Sequence, residues 1–270
     1  MHSSLFNCFI PVAFLTGSMA IAQSSNYHLE YRPVDEQSTR IVLVNDSSQT
    51  IEAFRMVQQC SLIRNSLKQD VLQTPVFSSA IRDAEGGTVQ SLGPEHGGTW
   101  DITVFQNSEK SQNTGECTPH FDVVLFGDGT YEGDELSAHA MKVQRDGVVA
   151  GITEWQEILS EQNADGADVY GLANISSQRE DDDRQKVHET FIRASSHHGD
   201  ESVRLANEFW SGKMIVDSSI AARFHANSNG LISGQSFQRA KDLIEGWKAK
   251  VDADTAMKKL NELFPPFLPD

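Results

Sequence analysis

The sequence predicts an α+β fold with strands first and helices second, and two observations carry that prediction. From Phe121 to Phe126, the residues Phe121, Val123 and Leu125 alternate with Asp122, Val124 and Phe126. Period-two alternation sends the two sets to opposite faces of a strand, and since both sets are largely apolar, the strand should be covered on both sides. From Leu136 onward the apolar spacing changes to three and four, the period of a helix. Between the two lies Gly127-Asp128-Gly129, whose residues tolerate the positive φ of a tight hairpin turn.

Residues 1–22 have the pattern of an export signal. Leu5 to Leu15 is an apolar stretch too short to span a bilayer, and Ala20-Ile21-Ala22 is a small-x-small cleavage site, which places the mature N-terminus at Gln23. The expected location is therefore secreted or periplasmic. The formal net charge of −16 argues against nucleic acid or an anionic membrane surface as partner. Of three cysteines, Cys8 lies in the signal, which leaves Cys60 and Cys117. In an oxidising compartment this even count fits one disulfide, worth about 4 kcal/mol in the loop-entropy picture. Two free thiols are the competing reading.

Taken in order, 23–37 is a polar lead-in. Ile41-Val42-Leu43-Val44 is a strand, Asn45 to Gln49 a turn built of residues that bond their own backbone, and Thr50 to Met56 the partner strand. Residues 57–84 fit either a helical face or two short strands. Trp100 to Phe105 alternates again. Val44-Asn45-Asp46-Ser47 ahead of a strand, then Leu92-Gly93-Pro94 and a Gly pair ahead of another, resembles the immunoglobulin-like sandwich modules of exported bacterial proteins. The resemblance covers 38–134. It implies an antiparallel β-sandwich that binds, spaces or presents, and it carries over no catalytic residues.

The region 135–270 is expected to be helical. A short helix ends at Asp146-Gly147, and a stripe of Val148, Ile152, Trp155 and Leu159 follows. A polar linker occupies about 160–183, ending in the acidic run Glu180 to Asp183 as charge at a helix start; Val187 and Phe191 open that helix, which breaks near Ser195 to Gly199. Later helices start with Asp200, Ser236 and Asp254 as caps. Trp155, Trp210 and Trp247 lie at helical spacing and are expected in the core.

Two residue groups could hold a divalent cation. Asp128, Glu132 and Asp134 are clustered hard ligands suited to calcium, although the helix-loop-helix template fails because His139 stands where a bidentate Glu belongs. The competing reading is a solvated turn followed by an acidic helix start. His188, His197 and His198 could hold zinc with Asp200 and Glu201, but metal-ligand spacing is absent and a polar inter-helix turn accounts for them as well. His188-Glu189 lacks the second His of a zinc-protease helix, as position 192 is Ile. Gly230-Leu231-Ile232-Ser233-Gly234 has its serine one place off a nucleophile elbow, and Gly212-Lys213 lacks the glycines of a phosphate loop. The expectation is an exported non-catalytic module with a protein or glycan partner, no resident cofactor and no membrane span after signal cleavage. The alternative is a secreted metal-dependent hydrolase using His188, His197 and His198.

Overall fold

The computed structural model describes residues 26–33, 38–64, 67–73, 76–78, 97–105, 116–162, 168–196, 200–224 and 235–269. The expected export signal, the turns at 86–87 and 92–94, and His197 and His198 lie outside these residues. Eight strands are described: β1 (Tyr27–Pro33), β2 (Ser38–Asn45), β3 (Ile51–Arg64), β4 (Leu67–Gln73), β5 (Val76–Ser78), β6 (Gly97–Phe105), β7 (Glu116–Phe126) and β8 (Tyr131–Gly133). Five helices follow: α1 (Glu135–Ser160), α2 (Val169–Ser196), α3 (Glu201–Arg223), α4 (Ser236–Ala253) and α5 (Thr255–Leu263). Among the described residues no helix is long and apolar enough to cross a membrane.

The predicted fold class is corrected. Among the described residues helices predominate, the strands make two sheets, and an immunoglobulin-like sandwich is not seen. One sheet has the order β1-β2-β6; the other runs β4-β3-β7-β8, with β5 on β3. The physical reason lies in what covers β3 and β7. A free-standing sandwich turns only one face of each sheet inward. Here Val123, Val124, Leu125 and Phe126 are all buried, so β7 is covered on both faces as the alternation predicts. Ala53, Val123 and Leu125 pack on Ala138 and Met141 of α1 and on Ala256, Met257 and Leu260 of α5. On β3 and β7, Phe54 and Phe121 meet edge to face at 5.4 Å, and Tyr27 of β1 meets Phe121 at 5.3 Å. Sheet and helices thus share one core.

Four further expectations change. The lead-in contains β1, which pairs with β2 from Tyr27↔Asn45 to Pro33↔Thr39; Tyr27, Leu29 and Tyr31 alternate with His28, Glu30 and Arg32, so the signal was present. Most of the supposed linker at 160–183 is α2. Gly147 does not end a helix, because α1 runs unbroken through it for 26 residues. Gln235, not Ser236, occupies the cap position of α4 and makes no side-chain cap bond. Asp200 and Asp254 do cap α3 and α5, and the Asn45–Gln49 turn closes on itself through Ser47 N to Asn45 Oδ1 at 3.0 Å.

Gly147 is a contact surface. A Cβ there would lie 2.0 Å from the Phe209 carbonyl oxygen of α3, and one on Gly212 would lie 1.9 Å from the Gln144 carbonyl oxygen of α1. The two backbones touch where neither has a side chain. The Val148, Ile152, Trp155 and Leu159 stripe is thereby pressed against Val216 and Ile220 of α3, Phe224 at its C-cap, and Ile244 and Trp247 of α4. Gly147→Ala should destabilise by about 2–3 kcal/mol, because overpacking must push the helix backbones apart. Gly246→Ala, on an exposed face of α4 with nothing within 4 Å, should instead stabilise by about 0.5–1 kcal/mol. Urea denaturation of both variants checks the pair.

Candidate functional site: a charged seam between two helices

Helix α2 turns a polar stripe inward. Leu172, Ser176, Arg179, Asp183, Val187 and Thr190 recur at helical spacing and are buried or half-buried. This stripe faces α3 as an antiparallel ladder. Asn207 donates to Thr190 Oγ1 at 2.9 Å and to the Val187 carbonyl at 2.8 Å. Lys213 donates to Asp183 at 3.3 Å, Arg179 Nε to Asp217 at 3.1 Å, and Ser218 to Glu180 at 3.1 Å.

Asp217 is the hub. Its side chain is fully buried, and its Oδ1 accepts from Arg179 and from the indole N–H of Trp155 on α1. Lys213 Nζ lies 3.1 Å from Glu154, 3.3 Å from Asp183 and 3.7 Å from Asp217. Arg179 also bonds Glu154. Burial works against the charge of Arg179, but the hydrogen bond to Glu154 and the charges of Asp217 and Glu154 outweigh it and raise its pKa. Two cations therefore meet three carboxylates, one too many. Burial and then a hydrogen bond to Asp217 push the Asp183 carboxyl up to about 7, against the pull of Lys213. A proton on Asp183 leaves two cations against two carboxylates. It also supplies the hydrogen that Asp183 Oδ2 and Asp217 Oδ2, both buried and otherwise without a bond, can share.

Above the seam opens a cleft of about 610 Å³, bounded by α1, α2, α3 and the C-terminal tail. Glu154, Asp182, Asp183 and Glu189 line it together with the cations Arg179, Lys186 and Lys213, and Trp210 and Phe209 give it an aromatic wall. Lys186 Nζ sits 3.7 Å from the centroid of the Trp210 ring. Leu268 and Pro269 of the tail form the remaining side. Lys142, fully buried on α1, holds that tail by donating to the Pro265 carbonyl at 3.0 Å. Asp146, 2.6 Å from Lys142, accepts from Phe267 N at 3.2 Å.

The residues singled out in the sequence stand elsewhere. Asp128 accepts from the amide of Thr130 at 2.9 Å and its hydroxyl at 2.6 Å, and these bonds hold its carboxyl below the ordinary aspartate range. Glu132 accepts from Asn26, and Asp134 caps α1 at Ser137 N, 2.8 Å away. His188 is exposed on α2, while His197 and His198 are outside the described residues. Among the described residues no group of three or more His, Cys, Asp and Glu is placed to hold a metal ion. The strands bring Cys60 and Cys117 opposite each other. Of the tryptophans, Trp155 and Trp247 are core residues and Trp210 is a cleft wall. Sequence reasoning missed Arg179, Asp183, Lys186 and Lys213. The signal that could have found them is the polar stripe of α2 at helical spacing.

No family model matches the chain, and no curated protein or solved structure is similar to it.

Because the carboxyl of Asp183 holds its proton more tightly folded than unfolded, stability should be full below the ordinary aspartate value. It should be lost as pH rises through about 7. Asp183→Asn should flatten that slope and make the protein more stable than wild type at pH 8, as denaturation at pH 5 and pH 8 would show. Asp217→Ala should cost about 1–3 kcal/mol, because it leaves the buried indole N–H of Trp155 and the Nε of Arg179 without their acceptor.

Proposed function

We propose that the protein is an exported, non-catalytic binding protein that captures small amine-bearing cations in the cleft above the seam. The observation that carries this reading is Lys186, whose ammonium rests on the Trp210 ring at 3.7 Å in a cleft that Asp182 and Glu189 also line. The protein's own side chain thus marks where an ammonium is held by an indole face, a contact worth about 0.5–2 kcal/mol. A ligand amine would take that place as the flexible lysine swings out. The cleft volume lies in the range of small-molecule sites. The net charge of −16 favours cationic over anionic ligands. Trp210 and Phe209 offer apolar surface to the methylene chain of such a ligand, and Asp182 and Glu189 on the rim meet a second charge. Export rests on the signal pattern of residues 1–22. The hydrolase alternative gains no support, since His188 stands exposed on α2.

Spermidine is the probe. It should raise the melting temperature in proportion to its occupancy and quench tryptophan emission saturably at fixed ionic strength. Trp210→Ala should weaken binding at least tenfold, and Lys186→Ala should strengthen it by removing the tethered competitor. Absence of saturable binding at millimolar spermidine, or equal binding by Trp210→Ala, would sink the reading.

A further inference from the structure

We propose that Cys60 and Cys117 form an intramolecular disulfide that staples β3 to β7. The antiparallel register of these strands makes the two residues direct Cα partners, flanked by Gln59↔Thr118 and Ser61↔Glu116. Directly opposed residues in an antiparallel ladder lie about 4.5–5.5 Å apart at Cα. Disulfides span about 4.4–6.8 Å between Cα atoms, so this register brings the two residues within the reach of the bond. The only other cysteine of the chain is Cys8, inside the expected export signal. Once that segment is removed, each of the two cysteines is the other's only partner within the molecule.

The position gives the bond a structural purpose. β3 and β7 rest on α1 and α5 around Ala53, Val123 and Leu125. Cys60 lies about 23 Å farther along β3, at about 3.3 Å per residue. The staple therefore secures the end of the strand pair that lies away from its helical support. The chain between the two cysteines also leaves this sheet, contributes β6 to the β1-β2-β6 sheet and returns as β7. One covalent bond closes the loop that links both sheets.

The bond forms by thiol–disulfide exchange with a small-molecule or protein disulfide of an oxidising compartment. One cysteine thiolate attacks the donor, giving a mixed disulfide and releasing one donor thiolate. The second cysteine thiolate attacks the protein sulfur of that mixed disulfide, forming the Cys60–Cys117 bond and releasing the second donor thiolate. The protein loses two protons and two electrons, and the donor is reduced to two thiols.

The test uses the full chain equilibrated in a mixture of oxidised and reduced glutathione, alkylated with iodoacetamide and digested with trypsin without reduction. The expected result is a cross-linked species joining the peptide 56–64, which carries Cys60, to the peptide 111–142, which carries Cys117. Neither should be alkylated, and the species should vanish on reduction. Recovery of both peptides alkylated would overturn the proposal, as would linkage of either cysteine to Cys8 or to a second molecule. Cys60→Ser supplies an independent check, because Cys117 should then take up iodoacetamide while the circular dichroism stays that of the wild type. A Cys117 that remains unreactive in that variant would show that its protection never came from the bond.

Discussion

The contact of α1 with α3 at Gly147 and Gly212 is the constraint on which the helical region depends. Each glycine leaves room for a carbonyl of the other helix, at distances no side chain would allow. Close backbone approach fixes both the crossing point and the rotation of the helices, since sliding either by one residue would drive a side chain into the gap. From that fixed point Trp155, two turns along α1, reaches Asp217 on α3. Lys142 and Asp146, on the other side of Gly147, reach the tail. The cleft inherits its floor and one of its walls from a pair of absent side chains.

Five ionisable groups share the space so defined. Taking charges from water is expensive, and a buried ion pair often adds little net stability. What such an arrangement provides is discrimination: Arg179, Lys213, Glu154, Asp183 and Asp217 satisfy one another in one register of α2 on α3 and leave stranded charge in the others. An apolar interface would tolerate a slipped register more readily. The indole N–H of Trp155 ties the same network into the apolar core of α1 and α4.

How much of this was legible in the sequence follows from which signal each element carries. The buried stripe of α1, the strand before the Gly127 turn and the Asp200 and Asp254 caps were readable, because burial and capping there use the expected residue types at the expected spacing. Of helix α2 only the second half, opened by Val187 and Phe191, was readable; the first half was not, because periodicity is sought in apolar residues and its inward face has Ser176, Arg179 and Asp183. Gly147 misled for a related reason. Glycine usually breaks a helix, and only knowledge of the facing Phe209 carbonyl reveals it as a packing surface. The sandwich was wrongly expected because turn chemistry such as Asn45 to Gln49 reports hairpins, not what lies on a sheet's faces. The site itself is spread over α1, α2, α3 and the tail, and no local motif spans such distances.

The polar inner face of α2 has a dynamic consequence. Among the described residues, α2 contributes Leu172 as its one fully buried apolar side chain. Val169 and Ala173 add partly buried apolar contact, and much of the remaining grip on α3 is made of bonds that water can replace, so separating the helix forfeits less hydrophobic free energy than separating α1 would. Backbone amides of α2 should thus exchange with solvent through local opening while those of α1 wait for global unfolding. The cleft lies along the edge that opens first.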